Sequence, residues 1–563
     1  MQSHEFLFRD LGTSPLTVYQ DFFDILVAII LGKGMAIKTF TQYRLILLVS
    51  AFFILFYNGT FFENTLKVYP LNNTNIAFLI SIVVVLFSFT ALFFTLIASK
   101  WTTKPLLMLT LLVSSMAAYF MQTYHVVIDD SMIRNILQTD TKESIDLFSL
   151  TQLFYLLVLG ILPAYIVYRV PLVYRGIKQE LLSKLKQTVI LLVVILLSLF
   201  SFSKYYSSFI REHKPLRYSA NPTYWIYSLG KYIGLTFHTE DFRLLPTGED
   251  AKIIKKTGEK PKLVILVVGE AVRADHLSLN GYPKETMPQL KKEDIVNFSN
   301  VYACGTSTAV SVPCMFSYYG KEDYSYAKGM QKENVLDVLQ HTKKVSLLWR
   351  DNNSDSKGVA LRIPYESYKN TQTNPMCIEG ECRDEGMLTG LDSYIHTQKN
   401  RDILVVLHQM GNHGPAYYKR YPQAFEKFTP VCKTNQLEAC SKEEINNAYD
   451  NALLYTDNFL TKTIRLLKKY EKSHHTAMIY LSDHGESLGE NGLYLHGLPY
   501  FMAPDAQIHI AALIWADKNF KKILHLDAID TNKRYTQDNL FHTLLGIFNV
   551  QTKVYHDNLD ILK

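Results

Sequence analysis

LVILVVGEAVRADH, residues 263–276, decides the fold of the later half of this chain. Its first seven residues form a continuous apolar run, as in a strand buried on both faces. The run stops at Gly269, and the next residue is the acid Glu270. Four more runs share this design: KVSLLW (344–349), ILVVLHQM (403–410), AMIYLSD (477–483) and IHIAALIWA (508–516). Among them lie segments of helical period, ENVLDVLQHT (333–342) and INNAYDNALLYTDNFLTKTIRLLKKY (445–470). This alternation predicts a three-layer α/β domain with a largely parallel sheet. Ligands of such sheets bind beyond the carboxyl ends of the strands. Glu270, His413 and Asp483 each follow a predicted strand, which brings them to one rim.

A second stretch carries a candidate nucleophile. CGTSTAVSVPCMFS (304–317) sets Thr306, Ser307, Thr308 and Ser311 between two cysteines. A hydroxyl is a weak nucleophile at its own pKa and needs a base or a metal beside it. The strand-end acids Glu270 and Asp483, with His484, supply ligands of the kind that a divalent cation takes. Glu486 completes the SDHGES run.

The 563 residues are 48% hydrophobic, and the long apolar runs crowd the part before residue 205. Five spans are predicted, at roughly 42–62, 76–98, 105–124, 150–170 and 187–203, each near the ~20 residues that a membrane helix needs. Lys33, Lys38 and Arg44 precede the first. Lys100 and Lys104 separate the second and third, and Arg169, Arg175, Lys178, Lys184 and Lys186 separate the fourth and fifth. The positive-inside rule then puts the N-terminus in the cytoplasm and everything after residue 204 outside it. All six cysteines (304, 314, 377, 382, 432 and 440) fall in that outer part as three local pairs, which predicts three disulfides in an oxidising compartment. A net charge of +6 with no basic stripe gives no nucleic-acid signal.

The expected domains are an N-terminal extension (1–40), a membrane domain (41–204), bridging helices (205–260) and a catalytic domain (261–563). The extension has one apolar run, FFDILVAIILG (22–32), too short to span, which is either ahead of the natural start or a short interfacial helix. In the loop 125–149, Met132, Ile136 and Leu137 would form an apolar helical face, with Asn135, Thr139 and Glu143 recurring every four residues on a polar side. Tyr and Trp residues in TYWIYSLGKYIGL (223–235) are expected at headgroup level. His474 and His475 are expected to be solvated.

The motifs VVGEAVRADH, CGTSTAVSVPCMFS, WRDNNSDSKG, HQMGNHGPAYY and SDHGESLGENGLYLHG stand in one order along the chain. In that order they resemble the phosphoethanolamine transferase family of Gram-negative inner membranes, in its lipid A-modifying branch, within the alkaline phosphatase and sulfatase-like superfamily. The resemblance covers nearly the whole chain from about residue 40. It implies a multi-pass inner-membrane monomer with a periplasmic, alkaline-phosphatase-like catalytic domain. It implies Thr308 as nucleophile and Glu270, Thr308, Asp483 and His484 as ligands of a zinc ion, which lowers the pKa of a bound oxygen by several units. His413 and His496 would meet the phosphate or leaving group, or share a second zinc ion. Asn353, Ser354 and Lys357 would line the donor phosphate or ethanolamine pocket, and Asn135, Thr139 and Glu143 would touch the lipid donor. The implied reaction is ping-pong: phosphatidylethanolamine gives its headgroup to Thr308, and lipid A phosphate takes it. A cationic amine on lipid A would weaken binding of cationic peptides such as polymyxins.

Other readings are weaker. A sulfatase needs Cys-x-Pro-x-Arg where this chain has GTSTA (305–309). A glycerophosphotransferase also uses a threonine beneath five spans but lacks the cysteine pairs and the ethanolamine-type motifs. A non-catalytic sensor would have no need of Thr308 with three ligands. The same chemistry directed at core oligosaccharide or protein stays open. Translation is expected to begin at Met35, where MAIKTFTQYRLILLVSAFF opens a basic lead into the first span. Peptide mapping of the native protein should recover nothing from residues 2–30, and recovery of such peptides refutes this start.

Overall fold

A computed structural model describes residues 39–139, 141–211, 213–237, 244–254, 258–378, 380–398 and 401–563. The expected start at Met35 and the run 22–32 lie outside them. The chain forms two compact units. One runs to Asp129 and resumes from Ser149 to Gly230; the other comprises Asp130–Phe148 and Lys231–Lys563.

In the first unit, α1 (Gln42–Tyr57) and α2 (Gly59–Val68) meet at a 63° bend, followed by α3 (Ile76–Ile97) and α4 (Thr103–Thr123). The Asp130–Phe148 insertion carries α5 (Asp130–Gln138) and α6 (Thr141–Asp146); the first unit then continues through α7 (Leu150–Arg169) and α8 (Ile177–Ser201). Helices α3, α4, α7 and α8 are long and apolar enough to cross a membrane, and the bent pair passes the same test only when taken together. Freed backbone groups inside a bilayer need partners. At the bend Asn58 supplies them: its amide donates to the Phe53 carbonyl (2.9 Å) and the Asn221 carbonyl (2.7 Å), and accepts the Asn221 N–H (3.0 Å). Hydroxyls within the spans turn back on their own helix, as Thr90 does to Leu86 and Thr110 to Leu106. Gly160 lets α7 approach α4, since a Cβ there would stand 2.6 Å from Ser115 Oγ.

Three expectations change here. Helix α8 begins at Ile177, ten residues before the predicted 187, because Lys178, Glu180, Lys184 and Lys186 lie on its first turns rather than in a loop. Trp225 is buried, with Nε1 on Ser114 Oγ at 3.0 Å, instead of resting among headgroups. In the 125–149 loop, α5 buries Ile133 and Arg134 and leaves the apolar Ile136 and Leu137 exposed. The helix ends at Gln138, so Asn135, Thr139 and Glu143 do not form one ladder.

The second unit is the α/β domain. Its elements are β1 (Lys262–Gly269), β2 (Ile295–Tyr302), α9 (Thr308–Met315), α10 (Val335–His341), β3 (Val345–Asp351), β4 (Tyr365–Ser367), β5 (Asp402–His408), α11 (Lys442–Lys468), β6 (His475–Ser482), β7 (His509–Ala516), β8 (Tyr535–Thr536) and α12 (Asn539–Ile547). Eight strands order as β8-β2-β7-β6-β1-β5-β3-β4, and only β7 runs against the rest. The central strands β1, β3, β5 and β6 are buried along their whole length. Strand β2 escapes a search for continuous apolar runs because it alternates buried and half-exposed residues. His475 opens β6, buried and stacked on Phe520 at 5.3 Å, which corrects its expected solvation.

Helix α11 starts with a capping box of Ser441 and Glu444 and lies almost wholly buried. Its interior polar residues hold loops. Asp450 takes His276 Nδ1 (2.8 Å) and the Tyr282 hydroxyl (2.9 Å). Asp457 accepts the N–H groups of Gln289 (2.9 Å) and Leu290 (2.8 Å). The structure joins Cys304 to Cys314, Cys377 to Cys382 and Cys432 to Cys440.

Burial pushes Asp457 up to about 6 although both N–H groups oppose it. A carboxyl raised above its unfolded value of 3.8 stabilises the fold below that value and loses this contribution as pH rises through about 6. Asp457→Asn should therefore flatten the fall in thermal midpoint between pH 4 and 6, a term on the order of 2 kcal/mol. An unchanged slope in the variant would show that Asp457 is not the group responsible.

Candidate active site

Strands β1 and β6 are parallel neighbours with Gly269 opposite Ser482, so the residues that follow, Glu270 and Asp483, leave the sheet side by side. Strand β5 ends beside them, His408 opposite Val268, and passes into Gln409–His413. Thr308 is the first residue of α9, after the N-cap Ser307, so the positive end of the helix faces its hydroxyl.

These elements bring Thr308, Glu270, Asp483 and His484 together in a buried cluster. The Thr308 hydroxyl donates to Glu270 Oε2 at 3.1 Å and stands 3.3 Å from His484 Nε2. His484 Nε2 lies 3.4 Å from Glu270 Oε1 and 3.3 Å from Asp483 Oδ2. His484 Nδ1 donates to the Gly485 carbonyl at 2.8 Å, so Nε2 presents a lone pair. Burial pushes this imidazole down to about 4, which keeps it neutral. Asp483 Oδ1 is occupied by the N–H groups of Ala271 (3.0 Å) and His484 (2.7 Å), while Oδ2, fully buried, has no hydrogen-bond partner among the described residues.

A lone pair and two carboxylate oxygens therefore converge where water is excluded. The ligand atoms of Glu270, Asp483 and His484 all lie within 4.8 Å of one another. Ligands held tetrahedrally at about 2.0–2.1 Å from zinc stand about 3.3 Å apart, and the four contacts above, at 3.1–3.4 Å, are of that size. The residues fit a tetrahedral divalent cation.

The surrounding shell is specific. Asn353 donates to Glu270 Oε2 (2.8 Å) and to the Gln409 carbonyl (2.7 Å), and its carbonyl oxygen accepts the Ser354 N–H. Asn353 thus orients Glu270 from the wall of a small cleft that it also lines. Ser354 lines a small cleft with Asp146, Lys369, Glu381, His413 and Arg420. Lys357, expected in the pocket, is buried and does not line that cleft, whose lysine is Lys369. His496 stacks beside His484 with ring centres 4.2 Å apart, holds Glu486 through Nδ1 at 3.2 Å, and lies 6.1 Å from the His413 ring. Helix α5 packs against α9. Asn135 is half-buried on it, the Thr139 hydroxyl is taken by the Asn135 carbonyl (2.7 Å), and the Glu143 side chain lies outside the described residues.

Several residues of the site carry no local signal. Asp384 accepts from Asn352, Gln409, Met410 and Gly411 and so fixes the turn after β5; burial raises its carboxyl against these donors. Gln537 links the Cys304 N–H to the carbonyls of Ser482 and Asp483, tying the Thr308 loop to the β6 end. Tyr449 of α11 donates to the Ala271 carbonyl (2.7 Å) and accepts the Arg273 N–H (3.0 Å). It thereby holds Ala271, a non-glycine residue at φ +58°, directly after Glu270. From the insertion, Asp146 pairs with Arg420 and Lys419 at 2.5 Å each, and Arg420 also reaches Glu381 at 2.8 Å.

Comparison with known proteins agrees with this architecture. Residues 86–236 match the family model for phosphoethanolamine transferase EptA/EptB, and residues 262–550 match the sulfatase model. The chain is 42% identical over 537 residues to phosphatidylethanolamine transferase Mcr-1 of Escherichia coli, covering 93% of this chain and 98% of that one. It is 41% identical over 529 residues to phosphoethanolamine transferase EptA of Escherichia coli K12, covering 92% and 96%. The solved structure of the integral membrane lipooligosaccharide phosphoethanolamine transferase A (EptA) of Neisseria meningitidis matches with a TM-score of 0.88 at 33% identity, over 93% of this chain and 99% of that one. With a sulfatase-like α/β domain joined to a helical membrane unit, the chain belongs to the phosphoethanolamine transferase family.

Proposed function

We propose that this enzyme moves phosphoethanolamine from phosphatidylethanolamine to a phosphate of lipid A by way of a covalent Thr308 ester. The observation that carries the reading is the meeting of one hydroxyl, two carboxylates and a neutral imidazole at 3.1–3.4 Å. Glu270, Thr308, Asp483 and His484 would hold zinc, whose Lewis acidity lowers the pKa of the Thr308 hydroxyl toward neutrality. Oγ1 of Thr308, at the positive end of α9, gives up its proton and attacks the donor phosphorus, and the bond to the diacylglycerol oxygen breaks as that oxygen takes up a proton and leaves as the alcohol. His413 and His496 flank the phosphoryl oxygens and the leaving oxygen. If a second zinc ion is bound, His413 and His496 would supply ligands to it. Ser354 and the charged cleft beside it receive the headgroup, and Lys357, Asn135, Thr139 and Glu143 stay candidates for contacts with the lipid. The lipid A phosphate then attacks the Thr308 ester and frees the enzyme.

A lipid donor and acceptor explain the membrane unit. We count the α1–α2 pair as one span, giving five, and place residues 41–204 in the inner membrane, 205–260 as the bridge and 261–563 in the periplasm, in a monomer. The added amine would lower the negative charge of lipid A and reduce polymyxin binding. Transfer of the same group to core oligosaccharide or protein is the second reading.

Mass spectrometry of lipid A from a polymyxin-sensitive host expressing the chain should show a gain of one phosphoethanolamine, absent with Thr308→Ala. Unchanged lipid A with continued release of diacylglycerol would overturn the acceptor and keep the chemistry; no release from folded protein would overturn the enzyme reading of this site. Asn353→Ala should lower zinc retention by about tenfold to a hundredfold in a chelator competition followed by metal analysis, because Glu270 loses the group that orients it. Full retention would show that Asn353 does not support the ligand.

A further inference from the structure

The first unit contains a cavity of about 670 Å³, within the range of small-molecule sites. It opens where α1 begins, α3 ends and α8 begins. At this end Phe40–Thr41 pairs with Leu172–Val173 in a short parallel ladder. Lys100, Lys104, Arg169 and Lys178 gather at the same end of the helices, the end assigned to the cytoplasmic leaflet.

The lining is divided by chemistry. Ile46 and Ile190 form an apolar part, while Arg175, Lys184, Lys186 and Glu180 form a charged one. Lys184 Nζ donates to the carbonyls of Leu96 (2.8 Å) and Ala98 (3.2 Å), closing the end of α3. One oxygen of Glu180 is taken by the Arg175 N–H at 2.7 Å. No described carboxylate forms an ion pair with the Arg175 guanidinium or the Lys186 ammonium. Three cations to one carboxylate, with Arg175 and Lys186 in no ion pair with a described carboxylate and an apolar wall beside them, suit a ligand that is anionic at one end and apolar at the other. A zwitterionic headgroup would bring its own ammonium against these cations.

We propose that this cavity binds the headgroup of an anionic glycerophospholipid of the cytoplasmic leaflet, with phosphate on Arg175 and Lys186 and the start of the acyl chains along Ile46 and Ile190. The site is separate from the transfer chemistry and rests only on the reading of this unit as membrane-embedded. A retained lipid would bridge α1, α3 and α8 at their shared end.

The test is native mass spectrometry of the full chain in detergent, with phosphatidylglycerol, phosphatidylethanolamine and phosphatidylcholine supplied at equal concentration. The parent chain should retain phosphatidylglycerol in preference to both zwitterionic lipids. Arg175→Gln combined with Lys186→Gln should weaken that retention about thirtyfold, whereas Lys186→Arg should keep it. Ile190→Trp, which fills the cavity and leaves every charge in place, should also lose it, so the result does not hang on one variant folding. Lys178→Gln, at the same end but outside the cavity lining, should have no effect. Equal retention of the three lipids by the parent chain overturns the proposal, as does undiminished retention in the double or the Trp variant. An equal loss in Lys178→Gln also overturns it, because binding would then be general surface attraction.

Discussion

Two carboxylates and an imidazole lone pair cannot share a dry space of this size without a cation or a frame that holds them against repulsion. Much of the second unit serves as that frame. The parallel register of β1 and β6 sets the two acids at one level. Asn353 fixes one carboxylate, two backbone N–H groups fix the other, and the Gly485 carbonyl fixes the ring. Further out, Asp384 holds the β5 turn, Gln537 holds the nucleophile loop, and Tyr449 holds the left-handed residue after Glu270. Even the glycines answer to the same crowding. A Cβ at Gly411 would stand 3.0 Å from the Glu270 backbone, and one at Gly485 would stand 2.1 Å from the Ala506 carbonyl oxygen.

The central sheet was legible because strands buried on both faces leave unbroken apolar runs, and acids at the ends of such runs are conspicuous. Strand β2 was not legible, since a half-exposed strand mixes Asn and Ser into its pattern. The metal-type cluster could be read from Glu270, Asp483 and His484, whose chemistry is local to each motif. Asp384, Gln537 and Tyr449 were invisible because their work depends on partners far away in sequence; Tyr449 lies 178 residues from Ala271. Asn353 lines the cleft of the site and also orients Glu270. Composition says that an amide sits beside the site, but only geometry says which acceptor it takes.

In the membrane unit, hydropathy found the cores of the helices and misjudged their ends. The first turns of α8 carry four charged residues, which a hydropathy window reads as a loop. A helix can keep such residues where long side chains reach polar surroundings, and Lys184 does so by closing the carbonyls of α3. The break after α1 was equally hidden, since one buried asparagine among apolar neighbours gives no sign that a second asparagine will complete it.

The Asp146 contacts bear on how the catalytic half would behave in isolation. A soluble fragment beginning at Lys231 contains Arg420 and Lys419 but not the carboxylate that pairs with both. Its cleft would be more cationic by one charge, and α9 would lack the cover of α5. Rates and affinities measured on such a fragment would describe a different electrostatic environment, with anionic compounds favoured over zwitterionic ones. Inhibitor screening on it would be biased toward molecules that the intact enzyme excludes.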